Sequence, residues 1–172
     1  MQKIILIGYM GVGKTTIAQL LAEKLNWGWV DLDKIIEEKV KLSIREIFEK
    51  HGEIYFRKME HELFKQLVQN DKKIIISTGG GTPCYANNHL LLNGEGIESI
   101  YLKASIGTIF DRLKEAKSER PLIANQTEAE LKEFIAKNLF DRSYFYIQAA
   151  HKVDIDDKNL ATVVDEIFDL LH

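Results

Sequence analysis

Gly8-Tyr9-Met10-Gly11-Val12-Gly13-Lys14-Thr15-Thr16 is the stretch on which the reading of this chain turns. It fits G-x-x-x-x-G-K-[ST]. Before it lies the β-branched run Lys3–Ile7; after it, Lys14–Leu25 carries Ile17, Leu20, Leu21 and Leu25 at helical spacing. A strand, a glycine loop and a helix in that order form a phosphate cradle. Glycines let backbone N–H groups turn inward. The helix start adds positive partial charge and unpaired donors. Gly11, Val12 and Gly13 supply the amides, Lys14 can reach the terminal phosphates, and the Thr15 hydroxyl can ligate Mg²⁺. Thr16 by itself reads as helix packing, and it joins the candidate nucleotide contacts only as the next residue of the motif.

Working outward, short apolar runs alternate with amphipathic stretches. Trp29–Leu32, Lys73–Ser77, Ile97–Leu102 and Lys152–Ile155 read as further strands. Helices are expected over Asp33–Val40, Ile44–His51, Ile54–Val68, Tyr85–Leu92, Thr108–Lys117, Thr127–Gln148 and Leu160–Leu171, with Thr127 and Glu130 spaced as a capping box. That order predicts a three-layer α/β/α architecture with a central five-stranded parallel sheet. Such sheets bind ligands at the carboxyl ends of their strands.

Composition narrows the class further. The chain has 172 residues, a length for one domain, and a net charge of −3 gives no reason to expect nucleic acid as a partner. The one cysteine, Cys84, excludes an internal disulfide, and no apolar run approaches the ~18 residues of a membrane helix. The N-terminus reads as a strand and not as a secretory signal, so a cytoplasmic protein is expected. With no linker or coiled coil, a monomer is expected. Scarce residues cluster: 11 glycines, of which six lie in 8–13 and 79–81, and five arginines against many lysines.

The second strand ends Val30-Asp31-Leu32-Asp33, two carboxylates on one side of an extended chain. Beside a phosphate loop, one can serve Mg²⁺ through water and the other can accept a hydroxyl proton. The plainer alternative is that Asp33 caps the next helix while Asp31 is solvated. Arg57 lies one helical turn before Glu60, which can hold the guanidinium. Arg45 and Glu49 read as a surface ion pair. Arg57, Arg112, Arg120 and Arg142, each taken alone, read as solvated charges. Gly79-Gly80-Gly81 after the third strand permits close approach of a ligand and offers N–H donors. Cys84 reads as a packed thiol, Trp27 and Trp29 as core or rim packing, and the five histidines form no ligand pattern.

Taken together, these residues resemble the shikimate kinase family over most of the chain. The specific signals are Asp31-x-Asp33, Ser43-Ile44-Arg45-Glu46-Ile47-Phe48, Gly52-Glu53, Phe56-Arg57-x-x-Glu60, Gly79–Gly81, Arg120-Pro121-Leu122 and Arg142-x-x-x-Tyr146. The resemblance implies a P-loop NTPase fold and transfer of a phosphoryl group from ATP to the 3-hydroxyl of shikimate, with Mg²⁺ as cofactor. It implies that Lys14 and the loop amides hold phosphates, and that Thr15 and Asp31 serve the metal. Asp33 binds the acceptor hydroxyls and is the candidate general base. Arg57 and Arg142 grip the carboxylate, Gly79–Gly81 meet the ring hydroxyls, and Phe48 and Phe56 wall the pocket. Arg120 closes on the transferring group from a lid at about 112–126, while 33–61 forms the substrate-binding segment. Arg112 and the segment from Lys158 to Leu160 face the adenine. Two departures from the family stand out, at Tyr144-Phe145-Tyr146 and at Leu160, where a family proline falls. There is no Walker-B aspartate at Ile76-Ser77-Thr78, as in the family. The family's Pro-Leu-Tyr is Tyr144-Phe145-Tyr146 here, so the register of Arg142 rests on Tyr146.

The rivals are another small-molecule kinase of this superfamily, acting on gluconate or a nucleotide, and a non-catalytic nucleotide switch. The strings Asp-x-x-Gly and Asn-Lys-x-Asp of small GTPases do not occur in the chain.

Overall fold

The computed structural model describes residues 2–116, 123 and 125–172. Five strands form one parallel sheet: β1 (Lys3–Ile7), β2 (Gly28–Asp31), β3 (Ile74–Ser77), β4 (Ile97–Lys103) and β5 (His151–Asp154). Their spatial order is β2-β3-β1-β4-β5. Among the described residues six helices connect and cover them: α1 (Lys14–Leu25), α2 (Leu32–Val40), α3 (Ile44–Gln69), α4 (Ile106–Glu115), α5 (Glu128–Tyr146) and α6 (Leu160–Leu170). This is the α/β/α arrangement expected from the alternation of elements.

The period of two along β1 divides the core. Ile4 and Leu6 face one cluster, with Ile17 and Leu21 of α1, Leu113 of α4 and Ile167 of α6. Ile5 and Ile7 face the other, with Leu32 and Ile36 of α2 and Phe56 and Phe64 of α3. A strand buried on both faces favours apolar residues throughout, which is why Ile4–Ile7 reads as a continuous apolar run; the buried Lys3 at its start donates to the carbonyls of Asn70 and Lys72. Helix α5 joins both layers. Its Leu131 and Ile135 pack with the first cluster, and Tyr146 at its end packs with the second.

Most predicted boundaries hold to within two residues, and the exceptions have local causes. The break expected between His51 and Ile54 is present: Gly52, at φ 83° and ψ 172°, is not helical, so α3 is two helical stretches joined at a kink. The strand expected to reach Leu32 ends at Asp31, because Asp31 is the N-cap of α2 and its carboxylate accepts from Lys34 N. No α-helix spans Tyr85–Leu92. Short 3₁₀ turns form at Thr82–Cys84 and Asn88–Leu92 instead. Between them Ala86 and Asn87 have φ of 51° and 57°, which a right-handed helix cannot contain. Helix α4 starts early, at Ile106, because Ser105 caps it through Thr108 N. The capping box of Thr127 and Glu130 is formed. No helix among the described residues is long and apolar enough to cross a membrane.

Candidate active site

The loops after β1, β2 and β3 meet at the carboxyl end of the sheet. Around them lie two adjoining cavities, of about 400 and 670 Å³. The first is lined by the phosphate loop, including Gly11, Gly13, Lys14, Thr15 and Thr16. Thr16 is exposed there, so the packing reading of its position is wrong: the helix turns it toward the cavity and away from the core. Gly11 and Gly13 have φ of 81° and 92°, conformations only glycine adopts freely, and these bend the backbone around the cradle. Lys14 Nζ donates to the carbonyls of Gly8 and Tyr9 at 2.7 and 2.8 Å, so the ammonium is drawn across the loop.

Pairing in the sheet explains how this site manages without an acid at the end of β3. Asp31 on β2 stands directly opposite Ser77 on β3. The Thr15 hydroxyl donates to Asp31 Oδ2 at 2.6 Å and lies 3.2 Å from Ser77 Oγ. A neighbouring strand thus delivers the carboxylate to the loop threonine. One carboxylate and two hydroxyls form a hard-oxygen set that suits Mg²⁺, an ion that keeps several waters and needs no all-protein cage. Among the described residues no three His, Cys, Asp or Glu side chains are grouped so as to hold a metal ion.

Asp33 lies two residues further, in the first turn of α2. The plainer alternative does not hold: Asp31, not Asp33, caps the helix, and Asp33 faces the cleft. Asp33, Met10, Gly79 and Gly80 line both cavities. Burial raises the Asp33 pKa to about 6, with Asp31, Glu60 and Glu37 adding to the rise and Lys14 opposing it. A carboxylate so placed is a stronger base than a solvated one.

The second cavity is lined by Phe48, Phe56, Arg57, Glu60, Gly81 and Arg142, among others. Phe48 and Phe56 stack with ring centroids 4.7 Å apart. Arg57 Nη1 donates to Glu60 Oε1 at 2.9 Å, and Glu60, almost wholly buried, accepts through Oε2 from the Thr82 hydroxyl at 2.9 Å. Arg142 is held beside Tyr146, whose hydroxyl donates to Gly80 O at 2.5 Å. Burial works against the Arg142 charge, but Tyr146, Tyr9 and Cys84 outweigh it and its pKa is raised. Burial pushes the Cys84 thiol up to about 11, as suits a packed thiol.

The triple glycine lines the second cavity and also makes room within the site itself. None of the three needs a left-handed backbone. A Cβ on Gly79 would stand 3.1 Å from Asp33 Oδ1, one on Gly80 3.1 Å from Arg142 Nη1, and one on Gly81 2.8 Å from Arg57 Nη2. The missing side chains make room for the three charged groups of the site itself.

The remaining candidates are less central. Arg112 Nη1 donates to Gly11 O at 3.3 Å. Leu160 Cδ2 abuts Gly13, while Lys158 is paired with Glu166 at 2.6 Å and lines neither cavity. Arg45 pairs with Glu49 at 2.9 Å on the surface. Arg120 lies outside the described residues, and of the lid segment Ile123 is buried in the wall of the second cavity. The sequence reading missed Thr82, Ser77, Tyr85 and Tyr9. Thr82 and Ser77 adjoin motif residues and could have been found for that reason; Tyr85 had no local signal.

Comparison with known proteins agrees with the geometry. The family model described as "Shikimate kinase" matches residues 10–172. The shikimate kinase of Flavobacterium johnsoniae is 58% identical over 171 residues, covering 99% of each chain, and that of Flavobacterium psychrophilum is 48% identical with the same coverage. Among solved structures, the shikimate kinase of Bacteroides thetaiotaomicron superposes with a TM-score of 0.90 at 34% identity, covering 98% of this chain and 97% of its own. The Acinetobacter baumannii shikimate kinase in complex with shikimate gives 0.87 at 30%, covering 99% and 93%.

Proposed function

This chain belongs to the shikimate kinase family, and on that premise we propose how its residues divide the work of phosphorylating shikimate with ATP. The observation that carries the assignment is Asp33, one carboxylate shared by the phosphate cavity and the arginine-lined cavity. ATP phosphates lie in the 8–16 loop, held by its amides, Lys14 and Thr16. Thr15 and Asp31 would hold Mg²⁺, which would supply neutralisation of phosphate charge.

Arg57 and Arg142 hold the shikimate carboxylate, and Glu60 holds Arg57. Phe48 and Phe56 wall the ring, and the Gly79–Gly81 loop meets its hydroxyls. With the acid end fixed, the 3-hydroxyl faces Asp33, which accepts its proton as the oxygen attacks. Phosphoryl transfer asks for in-line placement and charge stabilisation more than covalent help. The segment 33–61 is the substrate-binding part of a single unit. The lid at about 112–126, with Arg120 in it, and the adenine contacts of Arg112 and the residues from Lys158 to Leu160 rest on the family resemblance. The enzyme is proposed to work as a cytoplasmic monomer with no nucleic-acid or membrane partner.

The test is ADP release with ATP and Mg²⁺ against shikimate, gluconate, AMP and no acceptor. Release dependent on shikimate alone is expected. Release with AMP or gluconate and none with shikimate would overturn the assignment.

A further inference from the structure

Arg57 is fixed at one edge by a hydrogen bond to Glu60, but its other polar contacts are weak. Glu53 Oε1 is 3.6 Å from Nε, and Nε is buried without a hydrogen-bond partner. One good hydrogen bond pins a point of a guanidinium and leaves its plane free to tilt. Two-pronged recognition of a carboxylate requires that plane to be set. What sets it is a ring: the Arg57 guanidinium carbon stands 3.8 Å from the centroid of Tyr85.

Tyr85 reaches Arg57 from behind. Arg57 lines both the acceptor cavity and a shallow cleft on its far side, and Tyr85 lines only that cleft. The loop that carries Tyr85 is held under strain. Ala86 and Asn87, next in the chain, are both left-handed, and strain of that kind persists only where the surroundings impose it. Here Asn88 imposes it. Fully buried, Asn88 donates through Nδ2 to Thr82 O at 2.9 Å and pairs through Oδ1 with His61 Nδ1 at 2.6 Å. His61 lies one turn beyond Arg57 on α3. Helix α3 therefore clasps this loop at His61 and at Glu60, and presents Arg57 to the ring between them.

We propose that Tyr85 is a positioning residue for acceptor binding: its ring sets the plane in which Arg57 receives the carboxylate of shikimate. This rests on the assignment of Arg57 above. The role belongs to the aromatic face, so Tyr85→Phe keeps it and Tyr85→Leu removes it while leaving apolar bulk in place.

The experiment is steady-state kinetics of wild type, Tyr85→Phe, Tyr85→Leu, Arg57→Ala and the Arg57→Ala/Tyr85→Leu double variant, with thermal melting of each. Tyr85→Phe is expected to match wild type. Tyr85→Leu is expected to raise the KM for shikimate by roughly three- to tenfold, the size of one stacked cation–π contact, with kcat and the KM for ATP unchanged. In the Arg57→Ala background the same change should alter the KM by less than about twofold, because the group it positions is gone. A wild-type KM in Tyr85→Leu, equal losses with and without Arg57, or a Tyr85→Phe that behaves like Tyr85→Leu would each overturn the proposal. Absence of shikimate-dependent turnover in the wild type would overturn the assignment beneath it.

Discussion

The Thr15 hydroxyl donates to Asp31 Oδ2 at 2.6 Å, and that one bond joins the phosphate loop to the edge strand β2. Asp31 also starts α2, because its other oxygen accepts from Lys34 N. Asparagine caps helices as well as aspartate does but carries no charge. Asp31→Asn should therefore leave the melting temperature nearly unchanged. It should lower kcat by about 10- to 100-fold and raise the Mg²⁺ concentration needed for half-maximal rate, as loss of an outer metal partner does. Rates measured across a Mg²⁺ series at saturating shikimate check this, and an unchanged Mg²⁺ dependence would refute the metal role.

Asp33 should reveal itself in stability as well as in rate. Its folded pKa of about 6 lies above the value of 3.8 for a free aspartate, so the folded state holds the proton more tightly than the unfolded one. The contribution to stability is then present below about pH 4 and lost as pH rises through 6. Above that, the ionised group costs about 3 kcal/mol. Asp33→Asn removes the cost. It should be more stable than wild type at pH 7–8, with the gap closing between about pH 6 and 4, while kcat falls by about 10²- to 10⁴-fold. Denaturant melts at several pH values and the turnover number together test both halves.

Gly81→Ala would place a methyl 2.8 Å from Arg57 Nη2 and 2.9 Å from Nη1. The backbone there does not have positive φ, so the fold can accept alanine, and the long arginine side chain gives way instead. The expected result is a KM for shikimate raised by about tenfold or more, with the KM for ATP unchanged and little loss of thermal stability. A large drop in melting temperature with no change in KM would show that the loop and not Arg57 feels the methyl.

The fold was legible because its signals are local and periodic: a buried strand needs an unbroken apolar run, and an amphipathic helix repeats its apolar face. Tyr85–Leu92 failed because apolar spacing cannot reveal that Ala86 and Asn87 are left-handed, a conformation imposed by Asn88 and His61 from outside the segment's own spacing pattern. At the site, the Asp31–Asp33 pair is legible in the sequence, but the capping role falls to Asp31 and not to Asp33. Which of them caps α2 depends on where the strand ends, and that is decided by pairing with β3. Arg57 and Glu60 are neighbours on one helix, so their contact could be foreseen. Tyr85 and Thr82 meet them only through tertiary packing, which leaves no trace in spacing.

Glu60 connects the arginine to the base, and this yields a prediction with a definite sign. Its two oxygens are taken by Arg57 and Thr82, each at 2.9 Å. In Glu60→Gln the amide oxygen can still accept from Arg57, and the Thr82 hydroxyl can turn to accept from the amide NH₂, so the packing survives. The negative charge does not survive, and that charge is one of the causes raising the Asp33 pKa. The acid limb of kcat/KM for shikimate, set near pH 6 by Asp33 in the free enzyme, should therefore move to lower pH in Glu60→Gln. Glu60→Ala differs, because it leaves Arg57 and Thr82 facing a void. Breaking a buried ion pair from one side costs about 3 kcal/mol or more, so this variant should lose stability as well as acceptor affinity. The pH profile of Glu60→Gln is the decisive measurement. A limb that stays put or moves to higher pH would mean that Asp33 does not feel Glu60, and the coupling between carboxylate grip and base would be lost with it.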